Sequence, residues 1–221
     1  MPLAKIAAQL SVGQRLKNYN LPRWDSMNHV SIKEAVLPFN KFPAESIFLS
    51  PEMKSTGEVM GISENFGLSF YKATLSAGIK LPESGVVFIS VNNEDKFKII
   101  SIARAFKELG FNIVATEGTA KELIKNGMLA ETVYKVGEGR PNIVDRIKNN
   151  EIDLVINTPL GAQSRYDEEA IGKACIQKSI MAITTLSAAD AVLYAIRTKN
   201  KIKVKSIPVS YTHLRAHETS D

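Results

Sequence analysis

Residues 84–206 contain short apolar runs that alternate with longer amphipathic stretches. The runs have strand length and predict strands over 86–91, 111–115, 132–136, 152–157 and 180–184. The stretches between and after them predict helices from Asn92 or Asn93 to Gly110 and over 119–126, 142–149, 167–178 and 187–198. Strands that alternate with helices pair in parallel through right-handed crossovers, with helices on both faces. The pattern therefore predicts an α/β fold with a five-stranded parallel sheet flanked by helices.

The composition is that of an ordinary globular chain. Its 221 residues include 28 Lys plus Arg against 23 Asp plus Glu, a net charge of +5. The single cysteine, Cys175, allows no internal disulfide and favours a reducing compartment. Apolar runs such as 85–89 are far shorter than the roughly 20 residues of a membrane span, and the amino terminus shows no secretory signal. We therefore expect a cytoplasmic protein that does not bind membranes.

The basic residues are scattered, and their one tight cluster lies near the carboxyl end. Lysines at 199, 201, 203 and 205 alternate with Ile202 and Val204. This alternation predicts an edge strand whose lysines face solvent, since lysine commonly protects such edges. The sequence accordingly predicts no nucleic-acid binding, but leaves anionic small molecules open.

The first 80 residues are less regular. They predict helices over 4–16 and 66–75 and an extended stretch over 33–41, without an obvious sheet partner. Gly and Pro residues over 76–85 mark a break. We predict one unit over 1–80, a second over 84–206, and a tail over 209–221. The tail lacks periodicity and resembles translated adapter sequence, so it is left out of the fold prediction.

The loops that follow the predicted strands carry hydroxyls, amides and lysines. They begin at Asn92, Thr116, Gly137 and Asn157. Since ligands of parallel sheets bind beyond the carboxyl ends of the strands, these loops predict an anion or phosphate site. The alternative interpretation is that the same residues are only helix caps and turn formers.

The same loops offer little for catalysis. Their carboxylates are Glu94, Asp95, Glu117 and Glu138, and no histidine accompanies them. Cys175 lies within a predicted helix between apolar neighbours, which favours a packed thiol over a nucleophile. We predict no catalytic residue and no metal site.

Several segments resemble a known family. LPFNKFP at 37–43 and PEMKSTGEVMG at 51–61 are similar to the end of the carboxyl-half ATP-grasp unit of the carbamoyl-phosphate synthase large chain. ATEGTA at 115–120, EGRPNI at 138–143 and INTP at 156–159 resemble the regulatory domain that follows it, which has the methylglyoxal-synthase-like (MGS-like) fold. The resemblance extends over about residues 2–206. It implies a carboxyl-terminal fragment, with a remnant of the ATP-grasp unit before the MGS-like domain.

The resemblance also implies a parent activity. That ligase makes carbamoyl phosphate from bicarbonate, ATP and ammonia released from glutamine, for arginine and pyrimidine biosynthesis. ATP and Mg²⁺ or Mn²⁺ would bind the parent upstream of this chain, so we expect the fragment to need no cofactor and to be inactive alone. Implied partners are the upstream part of the large chain and a glutaminase small subunit, within an oligomeric parent.

Effector sites follow from the same resemblance. UMP and IMP are the implied nucleotide effectors. The matching positions for their allosteric site are Ser90, Lys96, Thr116, Thr119, Lys135, Asn157 and Thr158. Ornithine is a further candidate effector, at Glu34, Leu37 and Thr184, although Ala182 stands where some relatives have tyrosine.

Two alternatives belong to other classes. One is a stand-alone methylglyoxal synthase, which requires two aspartates where this chain has Arg140 and Thr158. A guanidinium and a hydroxyl cannot replace a carboxylate base. The other is an oligomerisation module without a ligand, which binding measurements would distinguish from an effector domain.

Overall fold

The computed structural model describes residues 2–21, 28–36, 57–159 and 165–204. Its amino-terminal part contains helix α1 (Leu3–Ser11), a short 3-10 helix (Leu16–Asn18), strands β1 (Val30–Val36) and β2 (Gly57–Ser63), and helix α2 (Phe66–Ser76). The predicted second helix is confirmed, whereas the first is shorter than predicted. It ends at Ser11, and Gly13 follows with a positive φ that favours glycine.

Five strands then form one parallel sheet: β3 (Gly85–Val91), β4 (Phe111–Thr116), β5 (Glu131–Val133), β6 (Leu154–Thr158) and β7 (Met181–Ile183). Their order is β5-β4-β3-β6-β7, with β3 in the centre. The chain adds β4 and β5 on one side of β3 and then returns to add β6 and β7 on the other. The predicted fold class is confirmed.

Five helices cover this sheet: α3 (Lys96–Glu108), α4 (Glu117–Lys125), α5 (Ile143–Lys148), α6 (Arg165–Lys178) and α7 (Leu186–Thr198). Helix α3 packs against α4 and α7, while α5 packs against α6. The two groups therefore lie on opposite faces of the sheet, each over its own apolar cluster. The larger cluster includes Phe106 and Phe111, whose rings meet edge to face at 5.5 Å between centroids.

Helix starts follow the local sequence. Asn142 caps α5 by accepting from the backbone N–H groups of Val144 and Asp145, and the Asp145 carboxylate accepts from the Asn142 N–H in return. Thr185 caps α7 through the N–H of Ala188. Each such cap is worth about 1 kcal/mol, because it satisfies an N–H group that has no partner within the helix.

The sequence did not predict β2, which pairs antiparallel with β1. Helix α2 packs on this hairpin directly over Gly61, where a Cβ would lie 2.6 Å from the backbone nitrogen of Ala73. At its other side α2 crosses α7, and a Cβ on Gly67 would lie 2.6 Å from the carbonyl oxygen of Tyr194. Helix α2 thus contacts both the hairpin and the five-stranded unit at close range.

The prediction of a solvated lysine strand was wrong. A 3-10 helix (Lys199–Lys201) follows α7, and residues 202–204 form no strand. The Lys199 side chain is only 9% exposed, and its Nζ lies 2.7 Å from Glu83 Oε1. At this distance the two groups form an ion pair, and Lys199 holds the pKa of the Glu83 carboxyl below its usual value. Position 205 lies outside the described residues.

None of the helices in the four described ranges is long and apolar enough to cross a membrane. The predicted tail over 209–221, and the segments 37–43 and 51–56 of the ATP-grasp-like strings, lie outside the described residues. The proposed division at residues 80–84 remains a prediction.

Candidate effector site

The candidate site lies at the carboxyl ends of β3, β4 and β6. Ser90 pairs in register with Asn157, and Val91 pairs with Thr158, so these loops begin side by side. The strand order reverses direction at β3, which leaves a crevice at this edge of an open parallel sheet. Four of the residues predicted for the site, on three strands, therefore lie at one edge: Ser90, Thr116, Asn157 and Thr158.

A chain of hydroxyls connects β3 to the start of α4. Thr116 Oγ1 lies 3.3 Å from Ser90 Oγ and 3.4 Å from Thr119 Oγ1. The backbone N–H of Val91 donates to Thr119 Oγ1 at 3.3 Å. Both threonines are almost fully buried, whereas Ser90 is half-buried at the opening of the chain. Thr119 thus holds Thr116 in place, and Ser90 lies closest to solvent.

The start of α4 forms the next part of the site. Thr116 is the N-cap of this helix, but its side chain makes no capping hydrogen bond. Lys96, at the start of α3, extends its side chain over this turn, because a Cβ on Gly118 would lie 3.3 Å from Lys96 Nζ. Free helix N–H groups and an ammonium group thus lie close together, and both attract anions.

Thr158, at the end of β6, is held by Asn92. The backbone N–H of Asn92 donates to Thr158 Oγ1 at 3.3 Å, and Asn92 Nδ2 donates to the same oxygen at 3.2 Å. Thr158 is 5% exposed. Because both contacts use the lone pairs of its oxygen, the hydroxyl proton remains available for an acceptor.

Lys135 follows β5 and carries the second positive charge predicted for the site. Its ammonium lies 3.9 Å from Glu138, and its own side chain is about half exposed. Asp167, in the first turn of α6, lies within range of both charges. Burial raises the pKa of the Asp167 carboxyl, with the positive charge of Lys135 opposing this shift and the negative charge of Glu138 adding to it.

Arg140 and Thr158 occupy the two positions at which the resemblance implies aspartates in a methylglyoxal synthase. Arg140 has an 82% exposed side chain whose Nε lies 3.7 Å from Asp145, and Thr158 is buried beside Asn92. Among the described residues, no cluster of histidine, cysteine and carboxylate side chains could hold a metal ion. Cys175 is buried, and this burial raises the pKa of its thiol to about 12, as expected for a packed thiol.

Of the ornithine candidates, Glu34 lies away from this edge, whereas Thr184 shares a groove with Asn92 and Thr158. Glu34 is half-buried in the middle of β1, and burial raises the pKa of its carboxyl. Thr184 follows β7 and lines a groove between α3 and α7. Leu37 lies outside the described residues, so this site remains a prediction.

Sequence reasoning did not predict the contacts of two residues at the candidate site. It named Asn92 as a possible helix cap and as the start of a loop at this edge, but its side chain also joins β3 to β6. It also placed Asp167 only at a helix start. An asparagine directly after a central strand was the available signal for the first, but nothing in the sequence indicated that Lys135 and Asp167 would lie near each other.

Comparison with known proteins gives consistent results. Residues 98–184 match the family model for the MGS-like domain. The chain is 48% identical over 219 residues to the carbamoyl phosphate synthase large chain of Acidobacterium capsulatum, covering 96% of this chain and 20% of that protein. It is 49% identical over 210 residues to the Archaeoglobus fulgidus large chain, covering 94% and 20%.

Two further matches have different lengths. The chain is 46% identical to the carbamoyl phosphate synthase large chain, C-terminal section, of Aquifex aeolicus, covering 91% of this chain and 41% of that section. A crystal structure of methylglyoxal synthase from Elizabethkingia anophelis aligns with a TM-score of 0.44 and 16% identity, over 57% of this chain and 96% of that one.

The chain thus spans about a fifth of the length of the full large chains that it matches. Nearly all of this chain aligns with those two large chains. The MGS-like match covers strands and helices from α3 to the end of β7. The chain carries an MGS-like domain, and over nearly its whole length it is similar to the carboxyl-terminal region of carbamoyl phosphate synthase large chains.

Proposed function

We propose that this chain is the regulatory part of a carbamoyl phosphate synthase large chain and binds a nucleoside monophosphate at the carboxyl edge of its parallel sheet. The observation that carries the proposal is the convergence of Lys96 with the uncapped start of α4. Hydroxyls of Ser90, Thr116 and Thr158 lie at the same edge. A phosphate is the common ligand for such a set of donors and positive charge.

The electrostatics of the site favour a dianion. Lys96 supplies a full charge and the α4 N-terminus about half a charge, while Glu117 is neutralised by Lys121 at 2.6 Å. Lys135 would add a second cation at this edge, where its positive charge acts on the carboxyl group of Asp167. Asn157 lies next to Ser90 and is suited to an additional polar contact with the ligand.

The activity of the parent is part of this proposal. The parent would use ATP and Mg²⁺ or Mn²⁺, together with ammonia from a glutaminase small subunit, outside the segment represented by this chain. We expect the chain alone to form no carbamoyl phosphate, because the ATP-binding and metal-binding parts implied for the parent lie outside this segment; the described residues include no group of three or more histidine, cysteine or carboxylate side chains that could hold a metal ion. Measurable ATP-dependent carbamoyl phosphate formation by the chain would contradict this expectation.

Regulation requires a route from the nucleotide to the rest of the parent. Helix α2 supplies a contact between α7 and the β1–β2 hairpin. Suppose that these elements have two arrangements and that a nucleotide binds one of them more tightly. The nucleotide would then shift the equilibrium between the two states of the parent by the difference in its binding free energy, typically about 1–3 kcal/mol.

The proposal is tested by titrating UMP and IMP into the chain in a calorimeter. We expect saturable binding of at least one nucleotide, weakened by about tenfold or more in Lys96→Met, because a phosphate contact with an ammonium is lost. Lys107→Met is the matched control, since Lys107 contacts Asn112 at the opposite end of α3. Absence of binding in a folded sample would contradict the proposal, and with an intact oligomer it would favour the oligomerisation alternative.

Two further assays separate the remaining alternatives. Ornithine titration tests the candidates on β1 and after β7, with Glu34→Gln as the diagnostic variant. Conversion of dihydroxyacetone phosphate to methylglyoxal would support the stand-alone enzyme, which the side chains of Arg140 and Thr158 do not favour.

A further inference from the structure

The contacts of Asn92 assign it a role beyond that of a turn residue. Its side-chain oxygen accepts from the backbone N–H groups of Glu94 and Asp95, at 2.9 and 3.1 Å, which fixes the turn before α3. With the oxygen committed to the backbone, the amide nitrogen must face the other way. It donates to Asp95 Oδ2 at 2.8 Å, and to Thr158 at its carbonyl oxygen and at Oγ1.

These contacts control the direction of the Thr158 hydroxyl. Two N–H groups of Asn92, one from the backbone and one from the side chain, donate to the same hydroxyl oxygen, and each is shared with the Thr158 carbonyl oxygen at 3.3 Å. An oxygen that accepts two hydrogen bonds can take part in one more only as a donor. Among the residues that the structure describes, no acceptor receives this proton from Thr158. The hydroxyl is therefore set to donate to a ligand.

We propose that Asn92 is a positioning residue of the nucleotide site, which orients the Thr158 hydroxyl as a fixed donor to a phosphate oxygen. The inference rests on the proposed nucleotide function. It adds a basis for selectivity, since a hydroxyl that cannot accept disfavours ligands that present an amine or a hydroxyl proton at this point. It also connects the hydroxyl of Thr158 with the ammonium of Lys96, because the same Asn92 side chain sets the turn that leads into Lys96.

The substitution Asn92→Asp separates this role from simple structural support. Aspartate keeps an oxygen for the N–H groups of Glu94 and Asp95, so the turn before α3 is preserved. It removes the N–H donor to Thr158 and places a second carboxylate beside Asp95. We expect about tenfold weaker binding of UMP or IMP with a small change in the urea midpoint. Asn112→Asp is the matched control, because it makes the same charge change at the amino end of β4, where Lys107 accommodates it.

A double-mutant cycle tests whether Asn92 acts through Thr158. Thr158→Val removes the hydroxyl while preserving shape, and Thr158→Ser retains it and is expected to bind close to the unsubstituted chain. If the proposal is correct, Asn92→Asp costs clearly less affinity once Thr158 is Val, and the loss that remains is the effect of the new negative charge on the phosphate. Full additivity of the two losses, or unchanged affinity of Asn92→Asp, would overturn the proposal.

A phosphorus NMR titration supplies a second readout. Donors to a bound phosphate favour its dianionic form and lower its second pKa. We expect the phosphate of bound nucleotide to titrate at higher pH in Asn92→Asp than in the unsubstituted chain, and an unchanged titration would contradict the inference. Failure of the unsubstituted chain to bind UMP or IMP would instead refute the proposed function itself.

Discussion

The substitution Gly118→Ala is expected to stabilise the fold and weaken nucleotide binding at the same time. Gly118 lies in the first turn of α4, exposed, and has no positive φ. Alanine is favoured over glycine in helices by up to about 1 kcal/mol, and somewhat less in a first turn. We therefore expect the free energy of unfolding to rise by about 0.5 kcal/mol.

The binding loss follows from the position of Lys96. The new methyl group would lie 3.3 Å from Lys96 Nζ and 3.9 Å from its Cε, so the ammonium must move. Two unit charges at about 4 Å interact by about 4 kcal/mol at an effective dielectric constant of about 20. A retreat of about 0.3–0.5 Å removes about 0.3–0.5 kcal/mol of this attraction, or about a twofold loss in affinity. Steric contact between the methyl group and the phosphate would add to that loss.

The assays are urea unfolding and calorimetric titration with UMP or IMP. If the loss arises through Lys96, the effect of Gly118→Ala should shrink to the steric part alone in a Lys96→Met background. Unchanged affinity in the single variant would refute the placement of the phosphate above α4. A lower urea midpoint would refute the argument about helix stability.

Three further predictions concern the fold. Gly67→Ala should reduce the free energy of unfolding by about 1–3 kcal/mol, measured in urea, because its methyl group meets the backbone of Tyr194; an unchanged midpoint would contradict the close crossing. Cys175 should resist iodoacetamide until urea unfolds the chain. Because the pKa of the folded thiol is raised, the folded thiol stays neutral at pH values above about 9, where the unfolded thiol ionises. Stability should therefore fall between pH 8 and 10 by about 1 kcal/mol more than in Cys175→Ala, and equal slopes would contradict that sign. Lys199→Met should leave the urea midpoint unchanged or raise it, because a buried ammonium is replaced by an apolar group of similar size; a marked drop would show that the pair with Glu83 is needed.

The sequence was most informative where periodicity alone decides the structure. All five strands of the parallel sheet were predicted. Strands β3, β4 and β6 are short runs of mostly buried residues between turn formers, whereas β5 and β7 have three residues each, of which one is buried. The strand β2 was missed, since Gly57–Ser63 contains two glycines and alternates only weakly. Its Gly61 is there because α2 crosses directly above it, and a long-range approach of that kind leaves no local pattern.

The site was predictable to a similar extent. Positions after the strands could be named, since the carboxyl edge of a parallel sheet gathers them regardless of side-chain detail. The directions of their hydrogen bonds could not be predicted, because the direction of the Thr158 hydroxyl depends on Asn92, 66 positions earlier. The lysine alternation after α7 failed for a related reason. Lys199 is buried where α2 packs against the turn after α7, and its ionic partner is Glu83, in the linker before β3.

The two glycine crossings of α2 have a practical consequence for building hybrid proteins. At Gly61 and Gly67 the helix meets its neighbours without intervening side chains, so no flexible group is available to absorb a mismatch. A chimera that joins this MGS-like domain to another parent at residues 77–84 would set α2 from one protein against α7 from the other. A junction placed before β1 instead keeps both hairpin strands, α2 and α7 from a single source, and is the exchange boundary that the packing favours.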